Sequence, residues 1–575
     1  ITGADAVHPG YGFLSEDPEF ARQVTGAGLL WVGPPPEAMQ AMALKISARK
    51  MAMLAGLPVL PELDPTAVAT FPVLVKASAG GGGRGMRAVY SAAELDAAIE
   101  SASREALAAF GDGTVFCEPL LTGARHIEVQ VLADQHGTVW ALTERDCSVQ
   151  RRYAKVIEET PSPSVTPELR ERLLAAATTL AKAVGYVNAG TVEFLVDDSG
   201  EFYFLEFNTR LQVEHPVTEC VHGIDLVALQ LTIAEGTPLP AEPPPAAGHA
   251  IEARLYAEDP ACGFRPSGGP IHAFAVPAAD CEFGLIGGQR LLRVDAGAGP
   301  GTVITAHYDA MLAKVIAWAP SRREAIRRLA TSLAGATIAG PATNRDLLVG
   351  VLRDSRFADY GADTSLLDSF DYESLVPGEH ECRLAAAAAA AAVAATNRRD
   401  AKATASVPGG WRNVPSQPQR TSFLGPRGPI DVSYRWARGG MVIDEVGEVV
   451  AAEPDLVKLE TGGLRFTFGV IRSADRIWVR SALGSVSLTL LDRLPAPTLA
   501  AESGSLVAPM PGGVTKIAAA AGDALTKGQL VLVIEAMKME HQIAAPVDGV
   551  LTELRVAVGT QVKTGDVLAV LAQEG

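Results

Sequence analysis

Between residues 126 and 131 apolar and polar positions alternate, with Ile127, Val129 and Val131 on one side and His126, Glu128 and Gln130 on the other. Successive strand side chains point to opposite faces, so this stretch predicts a strand with one apolar and one polar face. Residues 167–185 change to the helical period. Strand pattern returns over 191–196 and 202–208, predicting a hairpin around Asp197-Asp198-Ser199-Gly200. Upstream, residues 1–40 read as the tail of an α/β unit and 41–57 as a helix ending at Gly56. Residues 71–77 form an apolar strand entering a glycine loop, and from there to about 125 the pattern is a small helix-and-strand lobe. Residues 249–372 continue as mixed α/β. The alanine tract 385–392 opens a helix that gives way to a polar linker near 408, and 411–494 turn β-rich, with runs such as Leu464-Arg465-Phe466-Thr467-Phe468.

The last pattern is a repeat. Residues 508–536 and 545–573 match at a constant offset of 37, with Ala-Pro on Ala-Pro, Gly512 on Gly549, Gly522 on Gly559 and Gly528 on Gly565. Each half is a set of short apolar strands punctuated by Gly and Pro, which predicts a small antiparallel barrel. Lys538 falls at the junction, inside Glu535-Ala536-Met537-Lys538-Met539-Glu540. A lone lysine in a turn is ordinarily just exposed; centred on a repeat, it is placed to carry something. The segment resembles a biotin carboxyl carrier domain, in which the lysine of Met-Lys-Met is biotinylated by a biotin protein ligase. Lipoyl carriers are similar barrels, but usually lack the flanking methionines.

Composition narrows the classes. The 575 residues suffice for three or four domains, with 48% hydrophobic and 20% charged residues in an ordinary globular balance. A net charge of −17 argues against non-specific nucleic-acid binding, which is driven by basic surfaces. The cysteines at 117, 147, 220, 262, 281 and 382 have no paired spacing, which fits reduced thiols and offers no zinc pattern. No apolar run reaches membrane-spanning length. The chain opens at Ile1, within what reads as a strand, so an N-terminal portion is expected to precede it.

Three stretches carry chemistry. Four glycines in Lys76-Ala77-Ser78-Ala79-Gly80-Gly81-Gly82-Gly83-Arg84-Gly85-Met86 let backbone N–H groups approach phosphate oxygens. No Gly-Lys-Ser/Thr follows, so this is not a Walker loop; its bland reading is a flexible linker. In the predicted hairpin, the numbers of Glu193 and Glu206 sum to 399. Any odd-sum antiparallel register, a tight turn at Ser199-Gly200 included, puts both carboxylates on one face. Opposed like charges destabilise a sheet, whereas Mg²⁺ bound by one or two carboxylates and substrate phosphates reverses that sign. The bland reading is two solvated acids. Then Asn208-Thr209-Arg210-Leu211-Gln212-Val213-Glu214-His215-Pro216 offers a guanidinium, an amide, a carboxylate and an imidazole in one loop. Arginine forks suit small anions and a neighbouring carboxylate suits a base; His215, before a proline, reads as structural.

On HPGYGFLSE, KASAGGGGRGMR, HIEVQVLAD, ERDCSVQRR, EFYFLEFNTRLQVEHPVTE and IEARLYAEDP, residues 1 to about 372 resemble a biotin carboxylase of the ATP-grasp superfamily. Carbamoyl-phosphate synthase halves and peptide-type ligases share the Glu…Glu-x-Asn pattern, but are not expected to combine RLQVEHPVTE with a biotinyl domain. The resemblance implies that Lys45, Lys76, Gly82 and Gly83 contact ATP phosphates, that Glu118 to Leu121 read adenine, and that His126 helps hold the nucleotide. Glu193 and Glu206 would bind Mg²⁺ (or Mn²⁺), with Asn208 on a second ion. Lys155, Arg210, Gln212 and Val213 would hold bicarbonate and Glu214 would deprotonate it. The carboxyphosphate formed would release CO₂ and phosphate, phosphate would take the biotin N1′ proton, and Arg254 would stabilise the enolate, with Tyr11 near the biotin. Where the family often has His-Gln-Lys, this chain has Tyr153-Ala154-Lys155, which keeps the lysine and puts an aromatic ring with a hydrogen-bonding tip, Tyr153, at the expected nucleotide contact.

Residues 408–494 with the alanine-rich helix resemble the interaction domain of acyl-CoA carboxylase α subunits, where a helix beside a small barrel docks a carboxyltransferase β subunit. The stretch Gly409-Gly410-Trp411-Arg412-Asn413-Val414-Pro415-Ser416-Gln417 carries that likeness; a spacer barrel without a partner is the alternative. Pyruvate carboxylase carries its transferase on a TIM barrel of about 250 residues, which the roughly 125 residues from Tyr372 to Pro497 cannot hold. The expected class is therefore multidomain α/β plus β: a pre-ATP-grasp remnant (1–40), an ATP-grasp domain (41–247), a carboxylase C-terminal domain (248–372), a helix with a β-rich interaction domain (373–494), a linker (495–503) and a biotinyl domain (504–575). The expected protein is the α subunit of a biotin-dependent acyl-CoA carboxylase that loads its own carrier, a homo-oligomer within an α–β complex, with no nucleic-acid or membrane partner. A scaffold with a dead ATP-grasp domain is the alternative. The expected location is bacterial cytoplasm, or the mitochondrial matrix if a targeting segment precedes Ile1.

Overall fold

The structure is a computed structural model. It describes residues 3–78, 85–284, 291–359, 362–403, 413–414, 416–437, 440–494, 505–537 and 539–572, the side chains of 108–110 and 539 excepted. Gly82, Gly83, Lys538 and most of the 409–415 stretch lie outside the described residues.

A ten-stranded sheet organises the first two thirds of the chain. Its strands run in the order Phe202–Asn208, Asn188–Val196, Arg125–Ala133, Arg145–Arg151, Ala154–Thr160, His249–Tyr256, Met311–Ala319, Leu291–Ala296 and Cys281–Glu282, with Val139–Ala141 branching from Arg125–Ala133. The alternation at 126–131 does what it predicts. Ile127, Val129 and Val131 pack under helix Pro167–Ala183 with Leu169, Leu173 and Leu180. His126, Glu128 and Gln130 face the other way, yet are also buried. Farther along, Ile251, Leu255, Leu312 and Val315 meet Leu329 and Leu333 of helix Arg322–Ala334 and Leu348 of helix Arg345–Arg353. A separate three-stranded sheet, ordered Met86–Val89, Val73–Ala77, Val115–Pro119, carries Lys76.

Two local expectations are corrected. The single helix read over 41–57 is two helices, Pro36–Ala43 and Lys45–Leu54, because Leu44 between them is extended (φ −103°, ψ 130°). Neither glycine nor proline marks that break. The hairpin register also differs. Beside its turn the pairing is Val196↔Phe202, an even sum that would put Glu193 and Glu206 on opposite faces. A β-bulge between Glu193 and Phe194 shifts the register by one, and Glu193 then stands directly opposite Glu206.

The helix expected beside the small barrel lies inside it. Eight strands from Gln419–Gly425 to Gly484–Leu490 close into an antiparallel barrel. Helix Glu379–Arg399 packs against strands all around its interior. Alanines 385–392 share one core with Phe423, Val432, Leu459, Phe468, Ile477 and Leu488. An eight-stranded barrel has a bore about wide enough for side chains. A helix fits there only if its own side chains are minimal and apolar on every face, which is what the tract supplies.

The 37-residue repeat becomes two four-stranded sheets that trade strands. Gln561–Val562 from the second half pairs with Gly512–Ile517 from the first, and Ala524–Leu525 from the first pairs with Gly549–Leu554 from the second. Leu530–Ala536 and Met539–Ala544 form a hairpin, and Lys538 lies between the two strands in the sequence. No single helix among the described residues is long and apolar enough to cross a membrane.

Candidate functional site

The polar face of the central sheet converges on Lys155. Its Nζ donates to Glu128 at 2.5 Å, Glu214 at 2.6 Å and Glu193 at 2.9 Å. Three acids around one ammonium leave a net negative charge. Arg145, wholly buried, meets part of it with an ion pair to Glu128 and hydrogen bonds to Gln130, Thr191 and Thr218. Burial opposes the charge of Lys155, but the three carboxylates outweigh it and hold its pKa well above the usual lysine value.

Glu214 is clamped from two sides. Besides Lys155, its other oxygen accepts from Arg254 Nη2 at 2.9 Å. Burial works to raise its pKa, but Lys155 and Arg254 win and hold it well below the carboxylate range, so it stands ionised. Arg254 comes from the neighbouring strand His249–Tyr256 and is also ion-paired through Nε to Glu158 Oε1 at 2.5 Å. The Asn208–Glu214 loop closes the other side. Gln212 donates to Glu193 at 2.7 Å and accepts from Arg210 Nη1 at 2.9 Å. Arg210 Nε donates to Glu16 at 3.0 Å, on the loop that carries Tyr11. The Val213 carbonyl accepts from Lys314 at 2.8 Å, and His215 is buried with Nδ1 2.7 Å from the Gln212 carbonyl, as a structural residue would be.

Glu193 is the second centre. It meets His126 Nε2 at 2.6 Å and Asn208 Nδ2 at 2.8 Å. Burial works against a charged His126, but the Glu193 carboxylate outweighs it and raises the pKa. Across the sheet, Glu206 accepts from Asn208 Nδ2 at 3.2 Å and stands 4.0 Å from Lys45 Nζ. Two opposed carboxylates fit a hard divalent cation. Ligand atoms of His126, Glu128 and Glu193 also lie within 4.8 Å of one another. Lys45 begins its helix near Lys76: burial lowers the Lys45 pKa first, Glu206 opposes this, and the Lys76 charge lowers it again. Two ammonium groups near an acid pair make a place for a phosphate chain with its cation.

The structure therefore gathers Lys45, His126, Lys155, Glu193, Glu206, Asn208, Arg210, Gln212, Val213, Glu214 and Arg254. Others stand apart or are engaged otherwise. The Glu118 carboxylate faces Lys76 at 2.8 Å and Arg49 at 2.7 Å, so its side chain positions Lys76. Leu121 is half-buried just beyond that strand. Tyr153 sits with Arg152 in a two-residue turn, both at positive φ (68° and 46°), with its ring half-exposed. Tyr11 is exposed. Sequence reading named no role for Arg145, Glu16, Lys314, Glu158 or Glu252. Charged residues inside a strand pattern were the available signal, Glu158 in 154–160 and Glu252 in 249–256 among them.

Comparison with known proteins covers most of the chain. Family models match in order: biotin carboxylase, N-terminal domain (1–39); carbamoyl-phosphate synthase L chain, ATP binding domain (61–242); biotin carboxylase C-terminal domain (252–369); methylcrotonyl-CoA carboxylase α-subunit, BT domain (380–493); and biotin-requiring enzyme (504–571). The mitochondrial methylcrotonoyl-CoA carboxylase subunit α of Rattus norvegicus is 36% identical over 594 residues, spanning 97% of this chain and 82% of its own. The propionyl-CoA carboxylase α chain of Ruegeria pomeroyi is 36% identical over 615 residues, 99% of this chain and 89% of its own. Among solved structures, a biotin carboxylase–β-γ-ATP complex from Campylobacter jejuni superposes with a TM-score of 0.60 at 40% identity, covering 64% of this chain and 82% of that one. The biotin carboxylase domain of Hydrogenobacter thermophilus 2-oxoglutarate carboxylase, with MgADP and bicarbonate, also gives 0.60, at 41% identity and the same coverage.

Proposed function

The chain belongs to the α subunits of the biotin-dependent acyl-CoA carboxylases, ligases that carboxylate biotin at the expense of ATP, and from that premise we propose that it loads the biotin on its own Lys538 for a carboxyltransferase on a separate β subunit. The observation that carries the loading step is Glu214, held ionised between Lys155 at 2.6 Å and Arg254 at 2.9 Å.

Lys45 and Lys76 receive the ATP phosphates. Glu193 and Glu206, with Asn208, would hold Mg²⁺, which when bound offsets phosphate charge. Lys155, Arg210 and Gln212 bind bicarbonate. As the anion takes up part of the Lys155 and Arg254 charge, Glu214 becomes more basic and accepts the bicarbonate proton. The freed oxygen forms a bond to the γ-phosphorus while the bond from that phosphorus to the β–γ bridging oxygen breaks. ADP leaves and carboxyphosphate remains. Arg254, one strand away from Lys155, would stabilise the biotin enolate. When bound, biotin would supply the ureido nitrogen that takes the carboxyl group, as carboxyphosphate splits into CO₂ and phosphate and that phosphate takes the nitrogen's proton.

The carrier in the same chain supports self-loading, because a tethered module reaches effective concentrations on the order of mM. The helix-threaded barrel matches the BT-domain model and offers the docking platform for the β subunit. That subunit selects the acyl-CoA, and a biotin protein ligase installs the biotin. The α chain forms a homo-oligomer within the complex. Glu214→Gln tests the base: bicarbonate-dependent ATP cleavage should fall by about 10²-fold or more, and unchanged turnover would overturn the assignment.

A further inference from the structure

The carrier barrel meets the carboxylase through a backbone hydrogen bond. Met537 donates its backbone N–H to the Ala306 carbonyl at 2.9 Å. Met537 has positive φ (49°) in the tight hairpin turn and is the residue immediately before Lys538. Three observations gather round this bond. The Ala306 side chain packs against the carrier's own hydrophobic core. His541, on the outgoing strand of the same hairpin, is half-buried, and the Arg265 charge reaches it. Arg265 Nε is itself buried with no hydrogen-bond partner among the described residues.

On the carboxylase side the contact leads to the site. Ala306 lies between strands Val303–Ile304 and Met311–Ala319. The Ala310 carbonyl accepts from Ala257 N at 2.8 Å, and within the strand pair Lys314 stands opposite Arg254. The loop is therefore continuous with the strand that flanks the proposed carboxyl hand-over. A barrel resting by chance on this surface would offer any of its outer strands; this one presents the turn that bears Lys538. A backbone donor in a left-handed turn also reads hairpin shape and not side-chain identity.

We propose that residues 304–309, with Arg265, form a dock that receives the lysine hairpin of this chain's own carrier during loading. The proposal rests on the reading that Lys538 carries biotin. Ala306 suits the task because a larger or charged side chain there would be pressed into the carrier core.

The test uses the full, biotinylated chain and the variant Ala306→Asp. Labelled bicarbonate is followed onto the carrier in single turnover and, separately, onto free biotin. Loss of a directional contact should slow carrier loading about tenfold more than carboxylation of free biotin. An equal effect on both, or no effect on the carrier, overturns the dock. A parent chain that carboxylates neither free nor attached biotin removes the functional reading and the dock with it. Hydrogen exchange gives a readout independent of turnover. The peptide containing Met537 should exchange slowly in the parent and fast in Ala306→Asp, while Met311–Ala319 stays slow in both. Equal exchange at Met537 in the two chains also overturns the dock.

Discussion

Glu158 and Glu252 stand directly opposite one another where strand Ala154–Thr160 meets strand His249–Tyr256, both fully buried. Glu158 Oε1 meets only Arg254 Nε, at 2.5 Å, and neither its other oxygen nor either oxygen of Glu252 has a hydrogen-bond partner among the described residues. Burial pushes Glu158 up to about 7, Arg254 opposing, and pushes Glu252 well above the carboxylate range, with Lys314 opposing and Glu158 adding to the rise. Two such acids cannot both be charged cheaply, so Glu252 keeps its proton through neutral pH, and Glu158, once it ionises at about 7, serves Arg254 as its ion-pair partner.

That pair makes stability fall with rising pH. The folded chain holds the Glu158 proton up to about 7, whereas the unfolded chain releases it near 4.5. The contribution is therefore complete below 4.5 and lost as pH rises through about 7. Glu252→Gln copies the neutral acid. Its melting temperature should match or exceed the parent's at pH 8, whereas Glu252→Ala, which leaves a cavity, should melt lower at every pH. A Gln variant that melts well below the parent would contradict a protonated Glu252.

Lys155→Met removes the ammonium from three buried carboxylates. Breaking a buried ion-pair centre from one side costs about 3–5 kcal/mol. Chemical denaturation should show a loss of that size in the carboxylase transition, together with loss of bicarbonate-dependent ATP cleavage. A variant as stable as the parent would mean the acids are not charged together.

Glu206→Gln keeps the shape of the acid that faces Glu193 and removes its charge. The Mg²⁺ concentration for half-maximal ATP cleavage should rise by about tenfold, the equivalent of one lost charge-assisted contact. Titration of Mg²⁺ at saturating ATP checks this; an unchanged midpoint would take Glu206 out of the cation site.

Ala388→Leu puts a branched side chain into the barrel bore. Overpacking of this kind costs about 1–3 kcal/mol, and Ala388 is wholly buried. Differential scanning calorimetry should show the barrel's transition moved down while the carboxylase transition stays in place. A shift of both would tie the two modules into one cooperative unit.

Much of this protein is legible along the chain because its signals are local. The period-two run at 126–131, the 37-residue repeat and the Asn208–Pro216 loop each state their element or chemistry within a few residues, through side-chain alternation, turn residues and charge type. Lys155, Glu193, Arg210, Glu214 and Arg254 could be named from their motifs, and the fold brings all five together. The tertiary structure decided what depends on pairing across distance. The bulge at Glu193 sets two acids face to face although the turn alone would separate them. Arg145 and Glu158 acquire meaning only when strand pairing buries them beside Glu128 and Arg254. The alanine tract reads as a helix by itself, and only closure of eight strands around it shows why every one of its faces must be small. The physical reason is the same in each case. Propensity and pattern act between neighbours in sequence, whereas register, desolvation and ion pairing are settled between neighbours in space.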